Sequence, residues 1–405
     1  MGFTINTILS IPIFKQLLIL MVVIWVIAVL LRKIGVPTIM GELTAGIILG
    51  PAVLGLIEPN EIIDVLAQLG IFFLMLHTGV VTNPRDFFSA LNKSFGIAII
   101  GALFPFLATM SIALLFGYSL NTALFVGITF TATAVVVTLK ILKDLNLHNT
   151  RLARVIIASC IIDDLLSLIS FSIILSVIKS EEVSFLSISI VGLKSTLFFG
   201  LTIIAGHYLF PFLKQPFRST KGKGFTFLLV LGIGFGLFAE LIGLHMILGA
   251  YLAGLFFREE VASKALIDKV EDRLYGIAYS FLGPIFFISL GFHITFDAFT
   301  NSGIILLAFL VLATIVSQIV SAGGMARVAK FSKLESLTIG MGMCGRAEMA
   351  FIIASIGMSM KVINETIFSI LIFSTFILNL ITSIGLNGCA ILLKRKVKEK
   401  SKIKK

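Results

Sequence analysis

The sequence predicts an all-α polytopic membrane protein with about 13 transmembrane helices. Three observations carry that prediction. Of 405 residues, 58% are apolar and only 13% charged, with a mean hydropathy of +1.09; a water-facing domain averages about 25% charged residues. Apolar segments long enough to cross a bilayer recur along the chain. The net charge of +11 is not clustered as in a nucleic-acid-binding protein but falls on alternate loops.

The segments lie at 11–31, 37–56, 62–81, 94–116, 120–139, 153–178, 184–210, 224–241, 243–257, 274–292, 302–322, 336–357 and 366–393. Arg32 and Lys33 follow the first, Arg85 and Lys93 the third, and Lys140, Lys143, Arg151 and Arg154 the fifth. The seventh, ninth and eleventh loops and the tail after residue 393 are basic as well. Of the 32 Lys and Arg, only Lys15, Lys179, Lys194, Arg346 and Lys361 fall elsewhere. The positive-inside rule therefore puts the N-terminus outside and the C-terminus in the cytoplasm. The first segment is a full span without a small-residue cleavage site, so it reads as a membrane helix rather than a signal peptide. Cys160, Cys344 and Cys389 lie within or at the end of apolar segments and form neither a disulfide framework nor a metal cluster.

The second segment opens with VPTIMGELTAGIILGPAVLG. Gly41, Ala45, Gly46 and Gly50 are spaced to let a neighbouring backbone approach closely. Glu42 is an intramembrane acid near a helix end, read as architectural. The fifth segment places Thr129, Thr131, Thr133 and Thr138 where a lipid-facing helix would use Leu. These hydroxyls either re-satisfy an interrupted backbone facing a cavity or bond back to their own helix.

The sixth segment carries the feature that packing explains least. In Ile156–Ser170, IIASCIIDDLLSLIS, two adjacent carboxylates, Asp163 and Asp164, sit in an apolar run. One charge at the centre of a span costs about 3 kcal/mol on insertion scales, and an intramembrane ionisable group marks an ion or proton site by default. Adjacent helical positions point about 100° apart, so one carboxylate can face a cavity while the other faces a neighbouring helix. The twelfth segment holds a charged pair of opposite sign, Arg346 and Glu348, beside Gly345, which reads as a second helix interruption. LGAYLAG at 248–254 echoes the small-residue texture of the second segment, and the two suspected breaks follow these motifs at nearly equal distances. Interrupted helices at corresponding places in two halves point to a transporter's binding site. No G-x-x-x-x-G-K-[ST] phosphate loop occurs, so the energy source is an ion gradient and the chain is not an enzyme. His77, His207 and His245 are read as packed or loop-facing.

Taken in order, P-x-x-x-G-E-x-x-A-G-x-x-L-G-P from Pro37 to Pro51, the Thr131/Thr133 break, Asp163-Asp164, LGAYLAG and Gly345-Arg346-x-Glu348 resemble the monovalent cation:proton antiporters, in the branch of Nap-type Na⁺/H⁺ exchangers and Kef-type K⁺ efflux systems. The resemblance spans nearly the whole chain. It implies an inverted-repeat fold with two crossed broken helices in a transmembrane exchanger domain, 1–393, followed by a short basic cytoplasmic tail, 394–405. A dimer domain would comprise roughly 1–92 plus 224–300, a moving core roughly 93–180 plus 301–393, with a linker helix at about 184–210. It further implies a homodimer in lipid, in a prokaryotic plasma membrane, exchanging Na⁺ (or K⁺ or Li⁺) for H⁺ without a cofactor. Asp164 would be the essential carboxylate, Asp163 its neighbour, and Thr133 with Thr131 would lie at the crossing. Arg346 and Glu348 would be architectural.

The chain departs from the pattern at one position. Asp-Asp exchangers usually carry a Lys in the span before G-R-x-E, where it pairs with the first Asp; here the matching residue is Gln318. Without that counter-ion, Asp163 is expected to be protonated or hydrogen-bonded to Gln318 in at least one state, which leaves the charge moved per cycle open. The alternative reading is a Kef-like gated K⁺ efflux pathway, which usually carries a soluble regulatory domain after the last span. The chain ending at Lys405 favours a free-standing exchanger.

Overall fold

A computed structural model describes residues 13–34, 38–82, 84–134, 138, 142, 147, 150–179, 193–194, 197–198, 223–242, 244–255, 257, 264–346 and 348–403. The linker helix expected at 184–210 lies almost wholly outside the described residues. Among those described, the secondary structure is entirely helical: α1 (Ile13–Ile34), α2 (Thr38–Leu49), α3 (Glu61–Val81), α4 (Pro84–Leu115), α5 (Leu120–Thr129), α6 (Arg151–Lys179), α7 (Lys223–Leu241), α8 (Met246–Leu255), α9 (Lys264–Phe292), α10 (Asn301–Val328), α11 (Lys333–Gly342), α12 (Glu348–Ser359) and α13 (Glu365–Ile403). Seven helices are long and apolar enough to cross a membrane, and five shorter apolar stretches of 10–17 residues accompany them.

Lipid exposure is legible on α10. Ile305, Phe309, Leu312, Val316 and Val320 are exposed at helical spacing, whereas Thr314, Gln318 and Ser321 are buried. An apolar face turned outward with polar groups inward suits hydrocarbon and not water. Two elements extend beyond their predicted bounds. Residues 264–273, expected as a loop, form the first turns of α9. This stretch is charged on one face, and Leu266, Val270 and Leu274 are buried on the other, an amphipathic pattern that hydropathy alone misses. The basic tail, set apart from the last span at residue 394, continues α13 as helix to Ile403.

The chain forms two compact units, Met1–Asn83 with Ser172–Ile294, and Pro84–Phe171 with Thr295–Lys405. In the first, α2 packs on α9 and α3 on α8. These contacts are backbone to backbone. A Cβ at Gly46 would sit 2.0 Å from the Ile288 carbonyl oxygen, and one at Gly254 would sit 2.2 Å from that of Leu76. The small residues of the second span and of LGAYLAG therefore serve close packing. Leu20, Ile24, Ala45, Leu49, Ile63, Ile285 and Ile288 form a core shared by α1, α2, α3 and α9.

In the second unit, α4 packs on α5 and α10, while α13 packs on α10, α11 and α12. Ile97, Val155, Ile156, Cys160, Ala322, Ile339 and Met343 form a core drawn from α4, α6, α10 and the end of α11. Immediately after Gln318, α10 widens into a π-helical turn, Ile319–Gly323, a local irregularity often found at functional sites.

Candidate functional site

Both suspected interruptions are real, and they meet. α5 starts on the Ser119 cap and stops at Thr129, leaving Phe130–Ala134 without helical structure. α11 starts on a capping box made by Ser332 and Glu335 and stops at Gly342, before α12 begins at Glu348. The Ala134 N–H donates to the Gly345 carbonyl at 2.9 Å, and the Thr138 hydroxyl donates to the Gly342 carbonyl at 2.7 Å. Each break thus supplies partners that its own helix cannot, as irregular backbone at membrane depth requires.

Arg346 locks this crossing. It is fully buried. Its Nε donates to the Phe130 carbonyl (2.8 Å), and its Nη1 donates to Met343 (2.7 Å) and Gly345 (3.1 Å). Nη2 donates to Gln318 Oε1 at 2.9 Å. Phe130 and Met343 end α5 and α11, where orphan carbonyls concentrate the negative end of the helix dipole. One guanidinium therefore neutralises two helix C-termini at once. The predicted opposite-charge pair is not how Arg346 is satisfied: its bonds go to carbonyls and an amide, while Glu348 occupies the first turn of α12, where a negative charge suits the dipole.

The threonines divide between the two roles left open by the sequence. Thr129 bonds back to Phe125 (2.7 Å) and Thr131 to Gly127 (3.2 Å), both capping their own helix. Thr131, placed with Thr133 at the crossing by the resemblance, donates to the last turn of α5. Thr133, past the break, donates to Asp163 Oδ2 at 2.7 Å.

Asp163 is fully buried, and its Oδ1 has no hydrogen-bond partner. Asp164, one position on, is only partly buried, so the two carboxylates do take different surroundings. The expected Gln318–Asp163 hydrogen bond is not formed. The amide oxygen of Gln318 instead accepts from Arg346, a charge-assisted bond. Its Nε2 has no partner and lies where a Cβ at Gly101 would be 3.1 Å away. Nor does Asp163 lack a positive neighbour, since the Arg346 charge acts on it. Asp164 is in turn within electrostatic reach of Asp163 and Glu348. Glu42 is buried on α2 of the first unit.

Asn379 escaped the sequence reading. From α13 its Oδ1 accepts from the Arg346 N–H at 3.1 Å, and its Nδ2 donates to the Arg346 carbonyl. Its buried amide thereby completes the backbone of the second break. The signal was available: an Asn midway along an apolar span, where side-chain amides serve as interhelical glue.

The sodium/hydrogen exchanger transmembrane family model matches residues 17–390. The chain belongs to the sodium/hydrogen exchanger family. It is 31% identical to the probable Na⁺/H⁺ antiporter GerT of Bacillus cereus over 343 residues, which cover 84% of this chain and 89% of that one. The Na⁺/H⁺-K⁺ antiporter GerN of Bacillus cereus is 30% identical, covering 86% and 89%. The fold matches that of the sodium proton antiporter MjNhaP1 of Methanocaldococcus jannaschii, with a TM-score of 0.69 over 94% of each chain at 18% identity.

Proposed function

We propose that the protein is a secondary antiporter that exchanges a monovalent cation, foremost Na⁺ with K⁺ and Li⁺ as alternatives, for protons, and that both compete for Asp164 and Asp163. One observation carries the site assignment: a buried carboxylate, held on one oxygen by Thr133 and without a partner on the other, stands beside a partly exposed carboxylate where two broken helices meet. Hard cations prefer oxygen ligands and negative charge, and two carboxylates, a hydroxyl and unwound carbonyls offer both. A cation or a proton can satisfy the open oxygen, which is the condition for exchange. Arg346, Gln318 and Glu348 hold the crossing in shape, and Glu42 is architectural.

The second unit, which contains Asp163, Asp164, Thr133 and Arg346, serves as the moving core, and the first as the dimer scaffold. The alternation of basic loops supports a prokaryotic plasma-membrane protein with its C-terminus in the cytoplasm. Family membership and relatives named as antiporters weigh against the channel-like efflux reading.

The test uses proteoliposomes holding an imposed ΔpH reported by a dye. Addition of Na⁺, K⁺ or Li⁺ is expected to dissipate the gradient with the unaltered protein and to have no effect with Asp164→Asn. Normal exchange by Asp164→Asn would overturn the site assignment.

A further inference from the structure

Ser167 lies in the middle of α6, fully buried, and its hydroxyl has no hydrogen-bond partner. A hydroxyl inside a helix has a ready fallback, the carbonyl four residues earlier. Thr109, Thr129, Thr314 and Ser369 each take it at 2.7 Å. For Ser167 that fallback is the carbonyl of Asp163, and it is left unused.

The position matters because of what shares its face. Residues three and four apart are neighbours on a helix surface, so Ser167 adjoins Asp164 at the first spacing and Asp163 at the second. Asp163 Oδ1 is the other buried orphan of this face. Two partnerless oxygens therefore belong to residues one turn apart, with a partly exposed carboxylate between them in sequence. Ser172, Ser336, Ser374, Thr375 and Thr382 also carry buried hydroxyls without partners; Ser167 differs in lying one turn from the Asp pair.

We propose that Ser167 is a further binding residue, whose hydroxyl oxygen joins Asp163 Oδ1 and Asp164 in coordinating the transported monovalent cation. The inference rests on the assignment of the Asp pair as the ion site and adds a neutral ligand to it. A hydroxyl suits a site that must alternate its cargo. Its oxygen can coordinate a cation, or accept a hydrogen bond from Asp163 when that carboxyl carries the proton. Neither role adds charge, so the ligand does not favour the cation over the proton by Coulomb attraction.

The test is the Na⁺ dependence of exchange at fixed pH in proteoliposomes, with the full chain and with Ser167→Ala, Ser167→Gly, Ser167→Thr and Asp164→Asn. Ser167→Ala and Ser167→Gly are expected to raise the half-saturating Na⁺ concentration about tenfold, with the maximal rate and thermal stability in detergent retained. Ser167→Thr, which keeps the oxygen, is expected to restore half-saturation. An unchanged half-saturation in both Ser167→Ala and Ser167→Gly would overturn the proposal. So would a fall in maximal rate and stability at constant half-saturation, which would mark a packing role. If those results appear while Asp164→Asn is inactive, only the Ser167 inference fails; if Asp164→Asn exchanges normally, the site assignment itself fails.

Discussion

Replacing Asn379 probes the crossing without touching the carboxylates. Asn379→Leu keeps the γ-branched shape and removes both bonds to Arg346, leaving its backbone N–H and C=O buried with nothing to replace the amide. Each buried group left unsatisfied costs about 1–3 kcal/mol, so the pair comes to about 2–6 kcal/mol. Membrane proteins often soften such losses to about 0.6 kcal/mol per bond, because freed groups find other partners. Here relief is harder, since Arg346 lies between α11 and α12, where no helical ladder can close. A loss inside the unsoftened range is therefore expected, about 3 kcal/mol or more for the two bonds together. Thermal unfolding in detergent, followed by fluorescence size-exclusion chromatography, reads the stability, and the ΔpH assay reads exchange. Asn379→Leu should unfold at clearly lower temperature and exchange poorly. Asn379→Asp, which still accepts from the Arg346 N–H but cannot donate to its carbonyl, should fall between. An Asn379→Leu protein that melts and exchanges like the unaltered chain would refute the reasoning.

Three further substitutions test other contacts. Gln318→Lys would set an ammonium against the Arg346 guanidinium, where an amide oxygen now accepts at 2.9 Å; like charges about 4 Å apart repel by about 4 kcal/mol at an effective dielectric of 20. Its melting temperature should fall, and an unchanged value would show that Arg346 is free to turn away. Thr133→Val strips Asp163 of its hydroxyl partner and should raise the half-saturating cation concentration about tenfold. Thr133→Ser should not, and equal curves for Val and Ser would remove Thr133 from the site. Gly46→Ala drives a methyl into the Ile288 carbonyl, an overpacking cost of about 1–3 kcal/mol. Gly234→Ala, with nothing within 4 Å, is the control, and matching melting temperatures for the two would show that α2 and α9 are not held by close approach.

What the sequence determined by itself follows from the solvent. A charge in hydrocarbon is costly wherever its partners lie, so Asp163, Asp164 and Arg346 were visible one residue at a time. The same holds for the apolar spans and for the Gly- and Thr-rich stretches where α5 and α11 end. Pairing was not visible in this way. The bonds that make the site join residues 28 to 216 positions apart, and no local pattern says that Arg346 reaches Phe130 or that Asn379 holds the backbone of Arg346. Gln318 shows the difference most clearly. Its type and depth were evident from the sequence, but its amide faces Arg346 rather than Asp163. That choice depends on where two helix C-termini converge, and one guanidinium satisfies both. The tertiary structure also decided that Ser167 and Asp163 Oδ1 are buried without hydrogen-bond partners, because burial and partnering depend on which helices pack around α6 and not on the residue types alone.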